Sequence, residues 1–259
     1  MSDVVRFNQD GPLAVVTFDS PPLNLFDEPI FRGFEQVVDR LVAQPPRAVL
    51  IRAQGKVVSG GVDVGRVFDG MSADDGQALW DRLLAAVQRL EDLPAPTIFA
   101  AHGLCLTAAF EIALASDVLL ASDRAKFGLV EIVVGLTPSM GGPQRLAERA
   151  GPARAKELVY TGELYDAATL EQWNVVNRVL PHDGFDEAAH AFAMKIANGP
   201  TKAHTATKAI VRAQKEGGAR AADRIVPEVS GALFETQDLK NAVRSFLTEG
   251  PGKATYAGR

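Results

Sequence analysis

One cysteine, Cys105, is present among the 259 residues. A single thiol excludes an intramolecular disulfide, argues against a cysteine-based metal site and fits a reducing cytosol. Set among apolar neighbours, Cys105 reads as core. Positive charge is not in excess either: 27 Lys and Arg against 32 Asp and Glu leave a formal net charge of −5. Without a basic field, nucleic acid and anionic membrane are poor principal partners. A long uninterrupted apolar run is also missing. Residues 97–121 are the most apolar stretch, yet His102, Glu111 and Asp117 interrupt it and Gly103 breaks it. A membrane span needs about 20 nearly continuous apolar residues, so this stretch reads instead as a buried strand, a turn, a buried helix and a second strand. The opening MSDVVRFNQDGPLAVVTF lacks a basic region followed by an apolar one; no secretory signal is read there, and a cytoplasmic location is expected.

What remains is an ordinary globular composition, 47% hydrophobic and 23% charged, in a chain long enough for a sizeable core. Strand-like and helix-like segments alternate. Residues 4–7 and 13–19 flank the turn Gln9-Asp10-Gly11-Pro12 and read as a hairpin. Residues 28–43 carry Ile30, Phe31, Phe34, Val37, Val38, Leu41 and Val42 at helical spacing, and Pro45-Pro46 ends that helix. Residues 48–52 read as a buried strand, 79–93 as a helix, 96–101 as a strand, about 107 onward as a helix, and 117–121 and 126–127 as strands. Such alternation predicts an α/β architecture with parallel strands covered by helices, its site lying where strands hand over to helices. Past Asn198-Gly199-Pro200 the character changes: residues 202–215, 219–235 and 239–247 read as helices with no strand between them.

Two loops draw attention. QGKVVSGGVDVG, residues 54–65, follows a strand, and Gly60 and Gly61 permit a tight turn with backbone N–H groups left to donate. HGLCLTAAFE, residues 102–111, also leaves a strand and enters a helix whose first N–H groups and positive dipole end face outward. Two such donors converging on one carbonyl would form an oxyanion hole. Near these loops stand two isolated carboxylates, Glu111 in LTAAFEIALASD and Glu131 in KFGLVEIVVGL. Buried carboxylates are rare without partners. Either they divide general-acid and general-base roles in a shared low-dielectric pocket, or each is paired with an arginine, Arg145 and Arg124 being the partners at hand.

The three segments together resemble the enoyl-CoA hydratase/isomerase family, the crotonase superfamily, over essentially the whole chain. The family's F-x-A-G-A-D-[LI] is similar to Val58-Ser59-Gly60-Gly61-Val62-Asp63-Val64, and N-G-x-x-x-G-G-G-x-E-L to residues 102–112. FGLVEIVVGLTPSMGGPQRL, residues 127–146, resembles F-G-x-P-E-x-x-x-G-x-x-P-x-x-G-G-x-x-R-L. This resemblance implies a crotonase-like spiral of stacked ββα units over residues 1–197, carrying an acyl-CoA site. A helical region, 198–259, is then expected to serve oligomerisation into trimers, often paired into hexamers, and contact with coenzyme A.

The activity implied is hydration of a 2-enoyl-CoA to a 3-hydroxyacyl-CoA with no metal and no cofactor, coenzyme A being part of the substrate. By resemblance the backbone N–H groups of Val62 and Ala108 form the oxyanion hole, Glu111 holds and activates water for attack on C3, and Glu131 delivers the proton to C2. Lys56, Ser59, Gly60, Gly61 and Asp63 of the first loop, and Lys253 in the C-terminal tail, are the implied positions for binding coenzyme A or substrate. Departures stand out. Thr107-Ala108-Ala109 occupies the place of three glycines, His102 that of an asparagine, and Val130 that of a proline. His102 reads as a hydrogen-bonded structural residue. A Δ3,Δ2-enoyl-CoA isomerase is the nearest rival reading, and a non-catalytic acyl-CoA-binding protein is the rival of another class.

Overall fold

The computed structural model describes residues 4–259. In chain order the elements are β1 (Val5–Asp10), β2 (Leu13–Phe18), α1 (Glu28–Ala43), β3 (Ala48–Ala53), α2 (Val64–Val67), α3 (Ala73–Glu91), β4 (Thr97–Ala101), β5 (Cys105–Leu106), α4 (Ala108–Ala115), β6 (Val118–Ser122) and β7 (Lys126–Gly128). There follow a 3-10 turn (Glu131–Val134), α5 (Gly142–Ala150), α6 (Pro152–Thr161), β8 (Tyr165–Asp166), α7 (Ala167–Gln172), β9 (Arg178–Leu180), α8 (Phe185–Ala197), α9 (Thr201–Gly217), α10 (Ala219–Gly231), a second 3-10 turn (Ala232–Glu235) and α11 (Gln237–Glu249).

The hairpin expected at the start is present: β1 and β2 pair antiparallel from Val5↔Phe18 to Asp10↔Leu13. From β2 onward the six-stranded sheet, ordered β1-β2-β3-β4-β6-β9, is parallel. Parallel strands are buried on both faces, and the alternation of side chains sorts them into two cores. Val16, Ile51, Phe99 and Leu119 point into the larger core with α1, α3 and α4. Their strand neighbours Val15, Leu50, Ile98 and Leu120 point the other way, against Phe185, Ala189 and Ala193 of α8. A second sheet, β5-β7-β8, lies beside the first.

Two helices depart from their expected bounds. Helix α3 begins at Ala73 rather than near residue 79, because Ser72 and Asp75 form a capping box that recruits the polar stretch ADDGQA. The helix expected over 219–235 gives way to a 3-10 turn after Gly231, with Pro227 already inside α10. The short elements α2, β5, β8 and β9 and helices α5 to α8 are added by the structure.

Side chains tie the C-terminal helices to the sheet. Lys208 Nζ donates to Asp117 at 2.7 Å, and Arg47 donates to the carbonyls of Gly199 and Tyr256 at 2.8 and 3.0 Å. Buried Asp238, at the start of α11, accepts from the N–H groups of Ala257 and Gly258 at 2.7 and 2.8 Å and so fastens the tail. Replacing it, Asp238→Ala, is expected to speed amide hydrogen exchange at Ala257 and Gly258 by about tenfold or more while the rest of the molecule keeps its protection. Exchange measured residue by residue checks this; unchanged protection of those two amides would count against it.

Candidate active site

The first loop is shaped mainly from inside. Asn24, buried and left-handed at φ 48°, donates from Nδ2 to the carbonyls of Gln54, Val57 and Val58 at 2.8, 3.1 and 3.2 Å. Its Oδ1 accepts from Ser20 N–H at 2.6 Å. Ser59 Oγ accepts from Gly61 N–H at 3.0 Å and donates to Asn24 C=O at 2.8 Å, so its hydroxyl is engaged within the loop. Gly60 N–H donates to Leu23 C=O at 2.8 Å. An isolated parallel bridge then pairs Phe26 with Val62. In such a bridge one residue bonds to the two flanking its partner: Phe26 N–H donates to Gly61 C=O at 2.8 Å, and Asp63 N–H donates to Phe26 C=O at 2.9 Å. The N–H of Val62 is therefore turned to the opposite side. Asp63 caps α2 by accepting from Arg66 N–H at 3.1 Å. Lys56 is exposed, next to Gly55, whose carbonyl accepts from His102 Nε2 at 3.0 Å. Burial pulls the His102 pKa down, keeping the ring neutral in that structural role.

The second loop is zipped to the first. Ser59 N–H donates to Leu104 C=O at 3.0 Å and Leu106 N–H to Ser59 C=O at 3.2 Å. Thr107 follows in a conformation rare for a β-branched residue, φ 48° and ψ −122°, and caps nothing with its side chain. Its Oγ1 is buried without a hydrogen-bond partner, and a Cβ placed on Gly61 would lie 3.2 Å from it. Gly61 and Thr107 thus touch, setting their successors, Val62 and Ala108, on adjoining loops. Ala108 opens α4, where the first N–H groups have no intrahelical acceptor and the helix dipole is positive.

One turn into α4, Glu111 is 2% exposed. Its Oε1 accepts from the N–H groups of Met140 and Gly142 at 2.9 and 2.8 Å. Only glycine fits at 142, since a Cβ there would lie 2.9 Å from Glu111 Cγ. Burial raises the Glu111 pKa to about 7 against the opposing pull of those two N–H groups and of Arg145. Glu131 heads the first 3-10 turn, its Oε2 buried and unpartnered. Burial first, and then the charge of Glu111, raises its pKa to about 8. The two carboxyls lie close enough to act on one another. The arginine pairing considered for them is not formed: Arg145 pairs with Glu91, and Arg124 lies 3.9 Å from Asp183.

Beyond Glu131, Leu136 N–H donates to the Glu131 carbonyl at 3.1 Å. Leu136 also lines a groove of about 560 Å³ with Phe68, Met71 and Trp80. The rings of Phe68 and Trp80 sit 5.8 Å apart. Lys253 is exposed in the tail; among the described residues it pairs with no carboxylate and no hydrogen bond ties it to the loops. Asn24 and the Met140–Gly142 turn are the residues that sequence reasoning missed. The left-handed Asn24 sits between turn residues without a distinguishing local pattern, whereas the adjacent glycines of SMGG carried a visible signal.

Stability follows from the two raised pKa values. Unfolded glutamates ionise near 4.5, so between that pH and about 8 the folded state binds more protons than the unfolded one. Stability therefore falls as pH rises through this window and the penalty is complete above it. The Glu131→Gln variant should melt about 2 °C or more above the parent at pH 9 and match it near pH 4.5. Melting curves across this range check the prediction, and identical pH slopes for the two proteins would refute it.

The comparisons with known proteins agree in one direction. The sequence profile of the family described as enoyl-CoA hydratase/isomerase matches residues 8–255. The probable enoyl-CoA hydratase EchA17 of Mycobacterium tuberculosis is 33% identical over 205 residues, covering 78% of this chain and 77% of that one. A carnitinyl-CoA dehydratase of Citrobacter koseri is 31% identical over 220 residues, 83% of each chain. The crystal structure of an enoyl-CoA hydratase from Bacillus anthracis superposes with a TM-score of 0.91 at 22% identity, over 99% of this chain and 100% of that one. The fold is thus the crotonase spiral, and the chain belongs to the enoyl-CoA hydratase/isomerase family.

Proposed function

We propose that the chain is an enoyl-CoA hydratase, adding water across the C2=C3 bond of a 2-enoyl-CoA to give a 3-hydroxyacyl-CoA. The observation that carries this reading is the pair of glutamates from separate elements, Glu111 buried and Glu131 half-buried with its Oε2 inaccessible, each with its pKa raised, beside two loops that touch at Gly61 and Thr107. In the proposal the Val62 and Ala108 N–H groups donate to the thioester oxygen as negative charge develops on it. Such donors, held in place before reaction, contribute about 10²–10³ in rate each. Glu111 is the base. Its Oε1 is held by Met140 and Gly142, and its other oxygen receives a proton from the water whose oxygen bonds to C3. Glu131, whose proton is held more firmly by burial and by repulsion from Glu111, delivers a proton to C2. The net change is one water added, and the step is redox-neutral.

This division of labour needs Glu111 ionised and Glu131 protonated together. Turnover is accordingly expected to follow a bell with its maximum between about pH 7 and 8, falling on the acid side as Glu111 gains a proton and on the alkaline side as Glu131 loses one. In the same proposal, the first loop with Lys56, Ser59, Gly60, Gly61 and Asp63 receives the coenzyme A end, and Lys253 reaches a phosphate. Trimers or hexamers form through the C-terminal helices, a reading supported by the exposed Val211, Phe234, Phe246 and Leu247.

The acyl chain is assigned to the groove of Phe68, Met71, Trp80 and Leu136, a mainly apolar lining whose Leu136 is tied through its N–H to the Glu131 carbonyl. Trp80→Ala should lower kcat/KM for long-chain 2-enoyl-CoAs by about tenfold while leaving crotonyl-CoA within about twofold. Equal losses for short and long chains would remove the groove from the proposal. The primary test incubates the purified protein with crotonyl-CoA and longer 2-enoyl- and 3-enoyl-CoAs, following enoyl-thioester absorbance and product mass. Gain of one water, abolished in Glu111→Gln and Glu131→Gln variants that still bind acyl-CoA, is the expected result. Double-bond migration without mass change would replace the hydratase by an isomerase, and binding without turnover would replace catalysis by an acyl-CoA-binding role.

A further inference from the structure

The setting of Glu111 depends on a side chain whose hydrogen bonds go elsewhere. Arg145 of α5 is 5% exposed. Its Nη1 donates to the Gly141 carbonyl at 3.2 Å and its Nη2 to Glu91 Oε2. The guanidinium fills the space where a side chain at 141 would begin: a Cβ there would lie 1.8 Å from Nη1. Gly141 has φ +101°, a second reason for glycine at that position. A peptide unit is planar and trans, so its C=O and N–H point in opposite directions. Holding the Gly141 carbonyl therefore aims the Gly142 N–H, the one that donates to Glu111 Oε1 at 2.8 Å.

Behind the guanidinium stands an ordered series of charges. Glu91, at the end of α3, also accepts from Lys215 of α9 at 2.8 Å, and Lys215 pairs with Glu148 of α5 at 2.9 Å. Arg145 Nε is buried without a partner. Pairing with Glu91 alone would leave much of this residue's burial unexplained, since a buried cation is costly unless its donors are used. Its hydrogen bond to Gly141 and its proximity to the carboxylate supply the missing reason. The charged groups that act on Glu111 are Arg145 from α5 and Glu131 from the 3-10 turn, with Glu91 of α3 behind Arg145.

We propose that Arg145 is a positioning residue for Glu111, holding the Gly141–Gly142 peptide in the orientation that receives the carboxylate, with Glu91 and Lys215 as struts tying this setting to helix α9. Its catalytic consequence rests on the hydratase reading. Its effect on the carboxylate does not.

The test titrates the glutamate carboxyls of the full chain by NMR with carboxyl-labelled glutamate, the Glu111 signal being the one lost in Glu111→Gln. In Arg145→Gln, Glu91 keeps Lys215 as its partner. The Glu111 midpoint is expected to rise by about one pH unit, because a nearby positive charge that favours the ionised form is gone. Hydration kcat should fall about tenfold or more, with affinity for a saturated acyl-CoA held within about threefold. Arg145→Lys keeps the charge but reaches only one of the two partners; its midpoint should stay within about half a unit of the parent while kcat still falls. An unmoved Glu111 midpoint in folded Arg145→Gln would overturn the proposal. Should that variant not fold, parental kcat in Arg145→Lys would overturn it instead. If the parent protein hydrates no enoyl thioester, the hydratase reading fails by itself, and the Glu111 midpoint still decides the role of Arg145.

Discussion

A carboxylate kept out of water is the constraint on which the rest of the site depends. Ionised and alone in an apolar interior, the Glu111 side chain would cost several kcal/mol, on the order of the net stability of a domain. The chain offsets this with two backbone donors from one turn, Met140 and Gly142, and with the charge of Arg145. The demand propagates outward in steps. Two donors aimed at one oxygen require the tight turn, the turn requires glycine at 141 and 142, and the space beside Gly141 is taken by the guanidinium. Glu91 then neutralises that cation and is itself held by Lys215, so the series spans three elements. Burial remains the larger effect, since the Glu111 pKa still rises to about 7.

Strain is stored a few residues away. Thr107 holds a left-handed backbone that a β-branched residue adopts at a cost of about 1–3 kcal/mol. It persists because its neighbours over-determine it: Thr107 N–H donates to Gly128 C=O at 3.0 Å, its carbonyl accepts from Glu111 N–H at 2.9 Å, and its side chain is wedged against Gly61. The same geometry starts α4 at Ala108 and points Glu111 inward one turn later. Carboxylate burial and the direction of the loop's donors are therefore set by one backbone conformation.

Much of the fold was legible because its signals are local. The turn at Gly11, the spacing from Ile30 to Leu41 and the apolar strands around Leu50 and Ile98 each depend on neighbours in sequence. The family motifs named the segments around Gly60, Thr107 and Glu131 for the same reason, and the solitary Glu111 and Glu131 stood out against apolar surroundings. What escaped reading depends on partners far along the chain. Asn24 bonds to carbonyls about 30 residues on, and Arg145 reaches back 54 residues to Glu91. Periodicity carries no trace of either contact. Helix α3 was misjudged at its start for a different reason: a capping box stabilises a polar turn that shows no apolar face.

The bridge between Phe26 and Val62 has an evolutionary consequence. Along an extended strand successive N–H groups face opposite sides, so the register Gly61–Phe26–Asp63 leaves the middle amide facing outward. Slipping that register by one residue would replace the outward N–H with a carbonyl and turn an anion-attracting wall into an anion-repelling one. Length changes in the 54–61 segment that pass through the bridge are tolerable only if they restore its parity, whereas the exposed stretch around Lys56 is free to change in composition. Relatives of this chain should therefore diverge in the side chains of the loop far sooner than in the residue count that sets its phase.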